Sequence, residues 1–217
     1  MSEARAEILE KIRRALGPRA AGRAADYAAI PRRYRQSGTL DRAALLDLLE
    51  QRLRDYGAGV HRSSRADLAA TIAQVAAARG KSRLMTAASL PPEWLPGTLE
   101  FVRDDLPGYE ALDHAEGALT GCAAAIAATG SIVLRHSASE GRRALTLVPD
   151  YHLCIVLAEQ VVETVPEALR LMHAAGVGLV TTIAGPSATA DIEMTRIQGV
   201  HGPRTLDVIL AADSELA

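Results

Sequence analysis

The spacing of apolar residues divides the chain into a helical first part and a later region of short apolar runs. In residues 2–16 the apolar positions recur at helical intervals, which predicts an amphipathic helix. Residues 17–38 are rich in Ala, Arg, Gly and Pro and lack a clear period, which predicts an extended linker. We therefore expect an N-terminal helical extension over residues 1–38 and a main domain over residues 39–217.

The main domain begins with helical periods and then changes to continuous apolar runs. Two helices are predicted, which run from a cap at Thr39 or Asp41 to about Tyr56 and from Ser63 or Ser64 to about Arg79. The later runs are rich in β-branched residues, as is typical of parallel strands buried on both faces. The predicted strands cover residues 59–61, 83–86, 98–102, 132–134, 144–148, 153–157, 179–183 and 206–210.

The order of these elements predicts the fold class. A helix over residues 165–175 would form a right-handed crossover between the strands at 153–157 and 179–183. Strands that alternate with helices in this way form an open, mostly parallel sheet with helices on its faces. The chain is therefore expected to be an α/β protein.

Composition narrows the function classes. The chain has 217 residues and 48% hydrophobic content, enough for a sizeable core. Aromatic residues make up only 3%, which argues against base stacking and nucleic-acid binding. The two cysteines, Cys122 and Cys154, lack the spacing of a disulfide, zinc or iron–sulfur site, so no metal or cofactor is expected in the chain itself. No apolar stretch approaches a membrane span, and we expect a cytoplasmic protein.

Several well-known catalytic motifs are missing from the sequence. It contains no phosphate-binding P-loop, no Gly-x-Gly-x-x-Gly, no His-Glu-x-x-His and no Gly-x-Ser-x-Gly. These absences argue against a P-loop kinase, a classical dehydrogenase, a metalloprotease and an α/β-hydrolase.

The first candidate site is a turn-rich segment that follows a buried strand. It lies after Ile183, at the carboxyl end of a predicted strand, where ligands of open α/β sheets collect. If residues 187–197 are helical, free amides at the start of that helix would face an anion. In the alternative, structural interpretation these residues only cap the helix and pair with each other. The candidate residues are Gly185, Pro186, Ser187, Thr189, Asp191 and Glu193.

Three further positions are candidates. His201, held between Gly199 and Gly202, could act as a general base or bind an anionic ligand; the alternative is a loop histidine bonded to backbone. His152 precedes a strand in a similar turn. The hydroxyls of Thr129 and Ser131 beside Gly130 could bind a carboxylate or phosphate, unless Gly130 is only a helix C-cap. The sequence leaves these alternatives open.

These motifs, taken together, resemble those of the LUD-domain family. The similarity extends over nearly the whole chain, and the order and spacing of the last two motifs are specific. The segments that carry the resemblance are Ala127–Leu134, Leu147–His152, Gly185–Glu193 and Gly199–Pro203.

The resemblance implies both a fold and a pathway. The fold would be a three-layer α/β/α sandwich like that of the NagB/RpiA/CoA transferase-like superfamily of sugar-phosphate isomerases and coenzyme A transferases. The function would be a role in oxidising L-lactate to pyruvate beside partner proteins that carry iron–sulfur clusters. The chain departs from the family at Ala128 and Ala188, where acidic and basic residues are frequent, and at Asp207, where histidine is frequent.

Three functional hypotheses follow. In the first, the chain is a lactate-utilisation component that binds a small anionic or nucleotide-like ligand at the candidate residues, either as a monomer or as an oligomer. In the second, it is a CoA transferase-like or isomerase-like enzyme with Glu193 as nucleophile or base and His201 assisting. In the third, it is a non-catalytic assembly or regulatory subunit that docks through residues 1–38.

Overall fold

The computed structural model describes residues 3–17, 23–105, 108–176, 178–189, 197–198 and 201–213. The chain forms two compact units, Met1–Tyr34 and Arg35–Ala217. The helices are α1 (Glu3–Leu16), α2 (Arg23–Ala29), α3 (Arg42–Asp55), α4 (Leu68–Ala78), α5 (Tyr109–Asp113) and α6 (Val165–Ala174). The strands are β1 (Gly59–Ser64), β2 (Arg83–Thr86), β3 (Glu100–Arg103), β4 (Ala118–Thr120), β5 (Ala124–Ile126), β6 (Ser131–Leu134), β7 (Tyr151–Leu157), β8 (Val161–Val162), β9 (Thr181–Ile183), β10 (Ala188–Thr189), β11 (Ile197–Gln198) and β12 (Thr205–Ala212).

The described residues of the first unit form two helices. Helix α1 forms where the apolar period predicts it, with a Glu7–Lys11 ion pair of 2.8 Å one turn apart. The linker prediction is wrong for part of residues 17–38, because they contain α2. An Ala-rich segment has high helix propensity even without an apolar period, which explains the helix. None of the helices among the described residues is long and apolar enough to cross a membrane.

The end of the predicted linker belongs to the second unit, where hydrogen bonds and an ion pair hold it. The carboxylate of Glu163 accepts the backbone N–H groups of Thr39 (2.6 Å) and Leu40 (2.9 Å) and pairs with Arg35. The carboxylate of Glu167 accepts the N–H of Gly38 at 2.9 Å. The residues just before α3 are therefore held by two carboxylates near the start of α6.

A six-stranded parallel sheet forms the centre of the second unit. Its strand order is β1-β12-β7-β4-β2-β3, and every neighbouring pair is parallel. This confirms the predicted α/β fold with a mostly parallel sheet. Both faces of the sheet are buried, because Leu153 and Ile155 of β7 face one core while Cys154 and Val156 face the other. That burial explains the continuous apolar runs.

Different elements cover the two faces. Helix α4 packs on one face through Leu68, Ile72 and Val75, all buried. Helix α3 and one side of a second, four-stranded sheet cover the other face. The carboxylate of Asp41 caps α3 by accepting the N–H of Ala44 at 2.9 Å, as one of the two predicted caps.

The second sheet overturns the predicted crossover. Its order is β8-β5-β6-β9, and β9 pairs antiparallel with β6. Helix α6 covers its outer side through Ala168 and Met172. The chain therefore leaves the six-stranded sheet after β7 and does not return to it at β9, so α6 is not a crossover between parallel neighbours.

Two further predicted elements are wrong. Residues 144–148 form turns instead of a strand. Leu145 is nevertheless fully buried, because a short apolar run can fill a core without pairing in a sheet. Residues 188–189 form β10, which pairs antiparallel with β11, so the predicted helix does not begin at Ser187. The N–H of Ser187 bonds instead to the carbonyl of Pro203 at 2.8 Å.

Candidate functional site

A cavity of about 240 Å³ lies where the amino-terminal ends of β7 and β12 meet β9 and the loop after it. Its size suits a small metabolite, since pockets for drug-sized ligands start at roughly 300 Å³. The lining combines turn backbone with hydroxyl, imidazole and guanidinium groups. Its polar residues include Arg143, Thr146, His152, Thr181, Ser187 and His201.

Two loops that are distant in sequence meet at this cavity. The Oγ of Ser187 accepts the backbone N–H of His201 at 2.9 Å. Gly185, Pro186 and Gly202 line the same cavity. Because the Ser187 oxygen is used as an acceptor, its O–H proton can still be donated to a ligand. The structure thus brings residues 185–187 of the first candidate segment and the His201 turn together.

Glycine is required at position 185. Its backbone φ is +76°, a region that favours glycine, and a Cβ there would lie 2.6 Å from the Cβ of Tyr56. Tyr56 is the C-cap residue of α3. The loop after β9 is therefore seated against the end of α3, which fixes the entrance to the Ser187 segment.

Arg143 provides the positive charge of the cavity, and no motif in the sequence points to it. Its Nη1 donates only to the carbonyl oxygen (3.3 Å) and Oγ1 (3.4 Å) of Thr146, and no described carboxylate pairs with it. Burial lowers the pKa of Arg143, but the guanidinium stays charged. A partly buried cation without an anionic partner among the described residues is a candidate site for an anionic ligand.

Two neighbouring arginines, unlike Arg143, pair with carboxylates. Arg142 binds the carboxylate of Asp104 at 2.9 Å, and Arg204 binds that of Asp150 at 3.0 Å. A groove of about 590 Å³ adjoins the cavity and shares Arg143 with it. An anion bound at Arg143 could therefore extend from the cavity into this groove.

His152 lies on the cavity wall and is almost completely buried. Its Nε2 is 2.8 Å from the Oγ1 of Thr120, whereas its buried Nδ1 has no hydrogen-bond partner among the described residues. Burial, assisted by the charge of Arg143, lowers the pKa of His152 to about 4. The imidazole is therefore neutral near pH 7, with one nitrogen unsatisfied.

Thr181 is oriented by a strained residue. The Nε2 of His136 lies 2.7 Å from the Oγ1 of Thr181. His136 has a φ of 56°, the only positive φ recorded for a non-glycine residue in the described part of the chain. Such a conformation is costly for a side chain with a Cβ, and it is often found beside functional sites.

The predicted Thr129-Gly130-Ser131 site lies elsewhere, since none of the three residues lines the cavity. The Oγ1 of Thr129 donates to the Oγ of Ser131 at 2.9 Å. Gly130 has a φ of +59° and caps a short 3-10 turn, and a Cβ there would lie 2.7 Å from the Cβ of Arg52 on α3. Gly130 therefore fits the alternative interpretation, in which it only caps a helical turn.

Other predicted site residues cannot be placed. Asp191, Glu193 and Gly199 lie outside the described residues, as does the side chain of Thr189. Their roles stay predictions.

The location of the cavity corrects another expectation. Gly185 does follow the carboxyl end of β9, but β9 belongs to the four-stranded sheet. Relative to the six-stranded parallel sheet, the cavity lies at the amino-terminal ends of the strands, beside His152 and Leu206. The rule for open parallel sheets therefore does not locate this site.

Comparisons with known proteins identify the family. The LUD domain matches residues 46–211 of the chain. Lactate utilization protein C of Deinococcus radiodurans is 42% identical over 213 residues, which cover 96% of each chain. The chain belongs to the LUD-domain family. Lactate utilization protein C of Anoxybacillus flavithermus is a more distant relative, 26% identical over 179 residues, with 78% of this chain and 81% of that one covered.

A solved structure has a similar fold. The crystal structure of a DUF162 family protein from Deinococcus radiodurans at 1.70 Å resolution is similar to this LUD-domain chain, with a TM-score of 0.68 and 38% sequence identity. The similarity covers 80% of this chain and 99% of that one.

Asp207, one of the departures from the LUD-domain pattern, has a structural role. It is fully buried on β12 and binds Arg79 through two hydrogen bonds of 2.8 Å. Burial by itself would raise the pKa of Asp207, but the hydrogen bonds and charge of Arg79 outweigh burial and lower it. Gly59 on β1 leaves space for this carboxylate, because a Cβ at that position would clash with the Oδ1 of Asp207.

The described residues offer no metal site. No group of three or more His, Cys, Asp or Glu side chains among them could hold an ion. What the cavity offers instead is a guanidinium, a neutral imidazole and hydroxyl donors, which together suit a small anion.

Proposed function

We propose that this LUD-domain chain is a component of L-lactate utilisation and binds a small anionic metabolite in the cavity beside Arg143. The relatives named lactate utilization protein C support the pathway. The guanidinium of Arg143, which pairs with no carboxylate of the described residues and lies in a cavity of about 240 Å³ with Ser187 and His201, supports the ligand class. L-Lactate carries the required carboxylate and is small enough for this space.

The proposal includes iron–sulfur partner proteins for the oxidation of L-lactate to pyruvate. The chain has only two cysteines, and both are buried. Four thiolates are the usual ligands of an iron–sulfur cluster. In the proposed assembly the partners would carry the electrons while this chain binds the anion.

The test is calorimetric titration of the purified full chain with L-lactate. We expect binding in the wild type and weaker binding in Arg143→Gln, because a hydrogen bond to a charged group contributes about 1.5–3 kcal/mol, or roughly 10- to 100-fold in affinity. Arg83→Gln is the matched control, since Arg83 pairs with Glu100 on the far edge of the sheet. Equal binding by both variants would contradict the role of Arg143.

A second experiment tests the pathway. The chain is combined with the proposed iron–sulfur partner proteins, and lactate-dependent electron transfer is measured with and without it. We expect the rate to depend on the chain and to fall in Arg143→Gln. A rate that is restored fully by Arg143→Gln would favour the assembly hypothesis over ligand binding.

A further inference from the structure

The hydroxyl group of Thr181 belongs to the cavity wall and is held by a histidine that does not line the cavity itself. Thr181 is half-buried and lies opposite Leu134 in the antiparallel pairing of β9 with β6. Its Oγ1 lies 2.7 Å from the Nε2 of His136, two residues beyond Leu134 in the sequence. Strand pairing therefore places the imidazole directly behind a hydroxyl group of the cavity.

Histidine is an unusual residue for the backbone conformation at position 136. Its φ is 56°, in the left-handed region, where glycine avoids the steric conflict of a Cβ. Among the described residues, every other position with a positive φ is a glycine. Glycine would therefore turn the chain here with less strain, and what histidine adds is its imidazole.

The chain on both sides of His136 is fixed. Before it, Leu134 of β6 is buried. After it, the N–H of Ser137 donates to the Oε2 of Glu140 at 3.0 Å, and the carbonyl of Ser137 accepts the N–H of Gly141 at 2.7 Å. Glu140 is itself buried. Fixed surroundings of this kind can hold a strained residue, so the imidazole is presented in one orientation.

We propose that His136 is a positioning residue for the anion site and holds the hydroxyl of Thr181 in the rotamer that contacts the bound anion. This inference rests on the proposed function, and it adds Thr181 to the groups of the Arg143 cavity that bind the ligand. A hydroxyl group has one proton and two acceptor lone pairs, and His136 occupies one of these three positions. The other positions are left for a ligand.

L-Lactate suits this hydroxyl in either direction of the His136–Thr181 hydrogen bond. If the imidazole donates, the Thr181 proton is free for a carboxylate oxygen of the ligand. If the imidazole accepts, the Thr181 oxygen can accept from the hydroxyl group of L-lactate. The positioning role therefore does not depend on the tautomer of His136.

The expected size of the effect follows from the rotamers of threonine. Without the imidazole, the side chain of Thr181 is free to take up to three staggered rotamers. About one third of the molecules would then hold the hydroxyl toward the ligand, so the affinity should fall about threefold. Loss of the hydroxyl itself removes a hydrogen bond to a charged ligand, and we expect a loss of about tenfold.

The first test is calorimetric titration of the full chain with L-lactate. His136→Gly should bind about threefold more weakly than the wild type, and Thr181→Val about tenfold more weakly. The double variant should bind like Thr181→Val alone, because His136 acts only through the Thr181 hydroxyl. Losses that multiply to about thirtyfold would show that His136 acts on the ligand by itself, and they would overturn the proposal.

The second test separates positioning from a purely structural role. In urea unfolding, His136→Gly loses a hydrogen bond but also relieves the left-handed strain, so its midpoint should stay close to that of the wild type while its affinity falls. His136→Gln is the matched control, because its amide extends to about the position of Nε2 and should restore binding. A midpoint that falls together with the affinity, or a His136→Gln variant as weak as His136→Gly, would contradict the positioning role.

Two outcomes distinguish this inference from the proposed function. If Arg143→Gln weakens the binding of L-lactate and His136→Gly does not, the anion site stands and the positioning role is overturned. If the wild type does not bind L-lactate, both are overturned.

Discussion

Acidification should destabilise the second unit through one imidazole, that of His152. In the native state burial keeps this side chain neutral and lowers its pKa from 6.5 to about 4. In the unfolded state the imidazole takes up a proton below its ordinary pKa. Below pH 6.5 the unfolded state therefore binds more protons than the native state. The free energy of unfolding consequently decreases as the pH is lowered.

The size of the effect follows from the difference between the two pKa values. A gap of about 2.5 units, at about 1.4 kcal/mol per unit, corresponds to a loss of roughly 3 kcal/mol between pH 6.5 and pH 4. The contribution of His152 is fully present above pH 6.5 and does not change further below pH 4. For a domain with about 5–15 kcal/mol of stability this is a large fraction.

Urea unfolding at a series of pH values measures this loss. The fall between pH 6.5 and pH 4 should be reduced by about 3 kcal/mol in His152→Gln, whose side chain does not titrate. The ring protons of His152 should show no titration in native-state NMR spectra until the pH approaches 4. A His152 resonance that titrates near pH 6.5 would refute the reasoning, because it would mean that burial does not suppress the charge.

Three further predictions concern stability and the loops. Arg79→Met leaves the buried carboxylate of Asp207 without its cation and should lower the free energy of unfolding by about 3 kcal/mol in urea titrations; an unchanged midpoint would contradict this. Gly130→Ala should cost more than the roughly 1–2 kcal/mol of a left-handed backbone, because its Cβ meets α3, whereas Gly57→Ala, with φ +87° and open space, should cost only that amount; equal losses would show that α3 yields. Ser187→Ala removes the acceptor at the His201 turn and should weaken anion binding by about tenfold with little change in thermal stability; unchanged binding would exclude that support.

The sequence predicts the central strands well because their burial is a local property. Strand β2 covers Arg83–Thr86 as predicted, and β7 and β12 contain their predicted apolar runs. Each of these strands is buried on both faces, so its composition alone identifies it. The N-cap of α3 at Asp41 is likewise a local signal, since it depends only on the first turn of the helix.

Long-range pairing is what the local pattern could not predict. The run at residues 179–183 is apolar and β-branched in either sheet, and nothing within it states that β9 pairs with β6. Arg143 was missed for the same reason. Arg142 and Arg143 are adjacent and of the same type, so the sequence does not distinguish them. In the folded chain Arg142 pairs with Asp104, whereas Arg143 lines the cavity.

The position of β12 has a consequence for protein synthesis. This strand lies between β1 and β7, yet it leaves the ribosome after both of them. Until then Gly59–Ser64 has no neighbour in the sheet, and the apolar edge of β7 stays open. Such unpaired edges invite aggregation, so a nascent chain that stalls before Thr205 would depend on chaperones.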